Sequence, residues 1–203
     1  MSDVLSPIIR FIGDSHTALT FGQTVSSAFQ KQHVQAHFLG FSGLRFQYMT
    51  DWEHNPDSLN ILNFEKFPNQ EAVFSKDPKD LGRSFSFVQN DVFIIALGTN
   101  DIVDCINRKL NYKQNIFPKI DAELKKLSAA NIIYVEPPLL KVDSDLRIRT
   151  QIIQQLVERG SNIVSCGDHS ANQNDGIHMK KEMAISYGNF VAKELLELIL
   201  PHH

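Results

Sequence analysis

Four short polar stretches of this chain carry residue types that could do chemistry. The first is Gly13-Asp14-Ser15-His16, directly after the apolar run Ile8-Ile9-Arg10-Phe11-Ile12. A strand that stops at a glycine and turns into a helix is how an α/β protein presents a nucleophile, and Ser15 occupies that place. The same residues also fit an ordinary turn with a helix N-cap. The other stretches are Gly40-Phe41-Ser42-Gly43, Gly98-Thr99-Asn100-Asp101 and Asp175-Gly176-Ile177-His178. A serine hydroxyl is a poor nucleophile at neutral pH, so it needs an imidazole to take its proton and later deliver one to the leaving alkoxide. His178 suits that role, and Asp175, three residues earlier, can hold the second ring nitrogen from within the same turn.

The elements that must position these residues follow from the hydrophobic pattern. Phe21 to Lys31 has apolar residues at helical spacing (Phe21, Val25, Ala28, Phe29), and His33 to Leu39 alternates as a strand. Residues 44 to 90 form an insertion of uncertain structure. A short aromatic helix is expected around Phe46, Tyr48, Met49 and Trp52, then a stretch broken by Pro56, Pro68 and Pro78. The segment suits either a lid over a cleft or a small core of its own. Asp91 to Leu97 is nearly all apolar, as a central parallel strand buried on both faces should be. Helices are expected over Tyr112 to Ala130, Leu146 to Arg159 and Lys180 to Leu200, with strands at Ile132 to Val135 and Asn162 to Cys166. Five strands separated by helices give an α/β fold, a three-layer α/β/α sandwich around a five-stranded parallel sheet, as one domain over residues 1–203. In such a sheet ligands sit beyond the carboxyl ends of the strands, and all four polar stretches fall at such ends.

Taken together and in this order, the four stretches resemble the four blocks of the SGNH (GDSL-type) hydrolases, over residues 8 to 179. The resemblance implies a flavodoxin-like sheet and a serine esterase that needs no metal or organic cofactor and acts on a small-molecule ester. Ser15 would be the nucleophile, His178 the base and then the acid, and Asp175 its orienting carboxylate. The oxyanion hole would be the Ser15 backbone N–H, the Gly43 backbone N–H and the Asn100 side-chain amide, with Gly40 as the alternative glycine. Donors of this kind are worth roughly 3 to 4 kcal/mol each in rate terms. Two departures stand out. His16 replaces the leucine of the family's common name; histidine there also occurs in relatives acting on O-acetylated carbohydrates, while the residue itself reads as a solvated side chain beside a turn. The second block offers two glycines.

Short-acyl or O-acetyl carbohydrate esters are the favoured substrates, with lysophospholipase or thioesterase activity, acyl transfer to a sugar hydroxyl, and a non-catalytic binding domain of the same fold as alternatives. A net charge of -3 with scattered Lys and Arg argues against nucleic acid as a partner. No apolar run reaches the roughly 20 residues of a membrane span, and Met1-Ser2-Asp3-Val4 lacks the features of a secretory signal, so a cytoplasmic location is expected unless a leader was removed. Cys105 and Cys166 match neither a zinc spacing nor a disulfide framework and are expected as free thiols. Asp168, His169, Asp175 and His178 could be read as a metal cluster, a reading that leaves Ser15, Gly43 and Asn100 without a purpose. His33, His37 and His54 are expected to be surface or satisfied structural residues. The terminal His202-His203 is given no function.

Overall fold

In the computed structural model, residues 8–87, 90–127, 129–141 and 145–200 are described, so Met1 to Val4 and His202-His203 lie outside them. The first strand, β1 (Ile9–Gly13), is followed by a single helical turn, α1 (Ser15–Ala18), and by α2 (Thr20–Lys31). The second strand, β2, runs only from Ala36 to Gly40. His33, expected as its first residue, instead ends the helix in the left-handed region at φ 58°, where its N–H reaches the Gln30 carbonyl.

Residues 44–90 depart most from expectation. The aromatic helix around Phe46 and Trp52 is instead two separate 3-10 turns, Phe46–Tyr48 and Trp52–His54. Two short strands follow, β3 (Asn63–Lys66) and β4 (Val73–Ser75). They pair antiparallel at the β2 edge, so the sheet has seven strands rather than five, in the order β4-β3-β2-β1-β5-β6-β7. Glu65 in β3 is buried, and its charge is met by His37 of β2 at 2.6 Å and by the Gly82 N–H at 3.0 Å. A buried carboxylate partnered in this way fixes the register of the added edge. The segment is also not a separate small core. Trp52 stacks on Phe41 at 5.4 Å and meets Phe85 edge-on, and Phe85 packs on Phe93 of the central strand, so these rings belong to the core on one face of the sheet.

The parallel part follows the hydrophobic pattern closely. It comprises β5 (Asn90–Ala96), α3 (Thr99–Asn107), α4 (Phe117–Leu124) after one wide turn at Tyr112–Ile116, β6 (Ala129–Val135), α5 (Asp145–Glu158), β7 (Asn162–Val164) and α6 (Lys181–Ile199). The helix expected from Tyr112 thus stops at Leu124, and β6 begins at Ala129. α2 and α6 cover one face, with Phe21 stacked on Tyr187 at 4.8 Å, while α3, α4 and α5 cover the other. β1 pairs in parallel with both β2 and β5, which makes its carboxyl end the point where strand order reverses. Among the described residues no helix is long and apolar enough to cross a membrane.

Candidate active site

Gly13 closes β1 because the chain folds back at once: a Cβ there would lie 1.9 Å from Thr17 Oγ1. Asp14 then caps α1 by accepting the His16 N–H at 3.0 Å, which leaves Ser15 as the first helical residue. The loop after β7 returns to the same place from the far end of the chain. Ser15 Oγ lies 3.0 Å from His178 Nε2, and His178 Nδ1 lies 2.7 Å from Asp175 Oδ2. Asp175 Oδ1 accepts the backbone N–H groups of Ile177 and His178 at 2.8 and 2.9 Å. Partial burial alone would raise the Asp175 carboxyl pKa, but the bonds from the His178 backbone, the His178 ring and the Ile177 N–H outweigh it and bring it to about 2. A carboxylate facing Nδ1 requires the proton on that nitrogen, so the Nε2 lone pair is the one facing the Ser15 hydroxyl. Ser15 is 7% exposed, and the His178 side chain is 31% exposed.

Gly43 and Asn100 stand on loops beside β1. Gly40 lies within the sheet ladder, in register with Gly13 and Phe64, and a Cβ there would strike the Ala18 backbone at 2.4 Å. Gly43 lies beyond the strand in a turn at φ 74°, a conformation glycine adopts without strain. Among the described residues no oxygen accepts from the backbone N–H of Ser15 or Gly43. Asn100, in the first turn of α3, spends one amide hydrogen on the Leu44 carbonyl at 3.0 Å, and its second remains for another acceptor.

The sequence pattern assigns no role to several supporting residues, although Asp101 stands in the third polar stretch. Asp101 is buried and accepts the Phe46 N–H at 3.2 Å. Burial pushes its carboxyl up to about 7, against the lowering effects of that N–H and of Arg45. Arg45 pairs with Asp104 of α3 at 2.6 Å and with Asp57, whose backbone and Cβ pack against Gly43. Burial disfavours the Arg45 charge, but these two carboxylates outweigh it and raise its pKa. Together with the Asn100 bond, these contacts tie the Gly43 turn to the helix that carries Asn100. On the other side, Lys141 N donates to the Gly176 carbonyl at 3.3 Å, Leu139 N donates to the His169 carbonyl at 2.9 Å, and the Leu139 carbonyl accepts from Ala171 N at 2.7 Å, joining the two loops that follow β6 and β7. The only sequence signal for such contacts is that acids and bases recur near strand ends.

His16, read from the sequence as solvated, is 6% exposed. Glu65 satisfies buried His37, whereas His54 is exposed beside Asp51. His169 turns away from His178, toward the Cys166 carbonyl and Ser186 Oγ, and among the described residues no three His, Cys, Asp or Glu side chains are grouped to hold a metal ion. Cys105 and Cys166 are buried free thiols, each pushed up to about 11 by that burial. A cleft of about 240 Å³ opens beside His178, walled also by His16, Leu19, Phe21, Met179 and Ala184 among others.

No protein-family model and no curated protein sequence matches the chain. Solved structures do. A protein of Agrobacterium tumefaciens described as a candidate arylesterase superposes with a TM-score of 0.63 at 15% identity, over 96% of this chain and 100% of that one. A carbohydrate acetylesterase family member from Sinorhizobium meliloti gives 0.59 at 13% identity, over 95% and 99%. An acetylxylan esterase from Geobacillus stearothermophilus gives 0.57 at 14%, over 97% and 95%, and a serine-to-alanine form of it is described as a catalytic mutant. At these identities the likeness establishes a shared fold.

Proposed function

We propose that the chain is a serine esterase of the SGNH type acting on short-acyl esters, O-acetyl carbohydrate esters above all. One observation carries this: a hydroxyl, an imidazole and a carboxylate stand in series at 3.0 and 2.7 Å, at the strand-order reversal in the parallel part of an open sheet. Ser15 Oγ attacks the ester carbonyl as His178 Nε2 takes its proton. The carbonyl oxygen becomes an oxyanion met by the Ser15 and Gly43 N–H groups and the free Asn100 amide hydrogen. His178 then protonates the departing alkoxide, leaving an acyl group on Ser15. Water, deprotonated by the same imidazole, attacks that acyl-enzyme, and the acid departs as Ser15 recovers its proton. Asp175 stays ionised throughout and stabilises the imidazolium.

Preference for a short acyl group is supported by the names of the structural neighbours, which include an acetylxylan esterase and a carbohydrate acetylesterase family member.

A p-nitrophenyl ester series from acetate to decanoate, with wild type and Ser15→Ala side by side, tests the proposal. Acetate should be turned over best, Ser15→Ala should fall by several orders of magnitude, and a fluorophosphonate should label Ser15. Absence of turnover and of labelling across the whole series would overturn it in favour of a binding domain, and activity surviving in Ser15→Ala would remove Ser15 from the mechanism.

A further inference from the structure

The histidine after the nucleophile joins the two halves of the site. Its ring lies between two acceptors: Nδ1 is 3.2 Å from Asp14 Oδ1, and Nε2 is 3.2 Å from the Ile177 carbonyl. A carbonyl oxygen can only accept, so Nε2 carries a proton and donates it. Ile177 directly precedes His178, and the rings of His16 and His178 stand 5.5 Å apart, centroid to centroid. Among the described residues, hydrogen bonds between the turn of residues 13–19 and the loop of residues 172–179 number two, Ser15 to His178 and His16 to Ile177. The first is the bond that must break and re-form as the proton moves. Only the second can hold the loops in register while it does.

We propose that His16 is a positioning residue that fixes the depth at which His178 meets Ser15, by tethering the Ile177 carbonyl to the nucleophile turn. The proposal rests on the esterase reading for its kinetic consequence. Bonds inside the returning loop, from Asn172 N and Gln173 N to the His178 carbonyl, set its internal shape but not its distance from Ser15. A misplacement of about 1 Å between reacting groups costs on the order of a hundredfold in rate. His16 also meets a second need. Asp14 is 1% exposed and its Oδ2 has no partner, so the His16 backbone N–H donating to Oδ1 at 3.0 Å, with the His16 ring packed beside the same oxygen, is its described support.

The test compares His16→Leu, His16→Gln, Asp14→Asn and the Asp14→Asn/His16→Leu pair on p-nitrophenyl acetate, with thermal melts as a folding check. His16→Leu should lower kcat by about 10- to 100-fold with KM within about threefold of wild type. His16→Gln, whose carboxamide can still donate to Ile177, should recover most of that loss. Should His16→Leu fail to fold because Asp14 is left buried without it, the paired variant removes that charge, and its kcat should still fall well below that of Asp14→Asn alone. Labelling of Ser15 by diisopropyl fluorophosphate should slow in parallel with kcat. Wild-type kcat in His16→Leu, equal losses in the Leu and Gln variants, or equal kcat in the paired variant and Asp14→Asn would overturn the tether. A wild-type protein without esterase activity would overturn the functional reading instead. The tether would then be read from the His178 Nδ1 proton by nuclear magnetic resonance: faster solvent exchange in His16→Leu supports it, and unchanged exchange refutes it.

Discussion

Replacing Asp101 by Asn should make the protein more stable at neutral pH and leave it nearly unchanged in acid. Asp101 is 2% exposed, and burial raises its carboxyl from 3.8 to about 7 in the folded state. Because the folded pKa exceeds the unfolded one, the native state holds its proton more tightly. The stabilisation this gives is fully present below about pH 3.8 and is lost as pH rises through about 7. A shift of about three units at 1.36 kcal/mol per unit amounts to about 4 kcal/mol, an upper bound reached only above pH 7. Asparagine keeps an oxygen for the Phe46 N–H and carries no charge, so it escapes this loss. Urea unfolding followed by circular dichroism at pH 4.5, 6, 7 and 8 should show the stability of Asp101→Asn minus that of wild type growing with pH and levelling off above pH 7. A difference that stays flat within about 0.5 kcal/mol across the series would mean that Asp101 is not held protonated by burial.

Other sites give sharp expectations. Gly43→Ala puts a Cβ 2.6 Å from the Asp57 Cβ at φ 74°, and should cost about 1 to 2 kcal/mol in urea unfolding. It should also lower kcat about 100-fold, a loss measured on p-nitrophenyl acetate. The chain has one tryptophan, Trp52, so its fluorescence and far-ultraviolet dichroism should unfold at the same urea concentration; separate midpoints would make residues 44–90 an independent unit. Trp52→Ala should cost about 3 to 5 kcal/mol in the same assay. Ellman's reagent at pH 8 should find neither Cys105 nor Cys166 in the native protein and both after unfolding in urea, as thiols pushed up to about 11 require.

The parallel core was legible because burial on both faces leaves a local mark. Val92 to Ala96 could hardly be anything but a central strand, and the polar residues that follow such strands must gather at one rim. The edge strands left no such mark. Asn63-Phe64-Glu65-Lys66 carries a charge in its middle, and what makes it a strand is His37 and Gly82, which sequence distance hides. His16 was misread for the same reason. Its carboxylate partner is two residues away, but the carbonyl that explains its burial is 161 residues away. Arg45 likewise joins Asp57 to Asp104 across two loops. The division has a physical origin: the side chains that would react are specified by strand ends, which periodicity reveals, whereas their spacing is held by polar bonds between loops that meet only after folding. A substitution in a tie such as Arg45 or His16 should therefore shift the geometry of the reacting groups while leaving the sheet intact, and its damage should fall on kcat before it falls on stability.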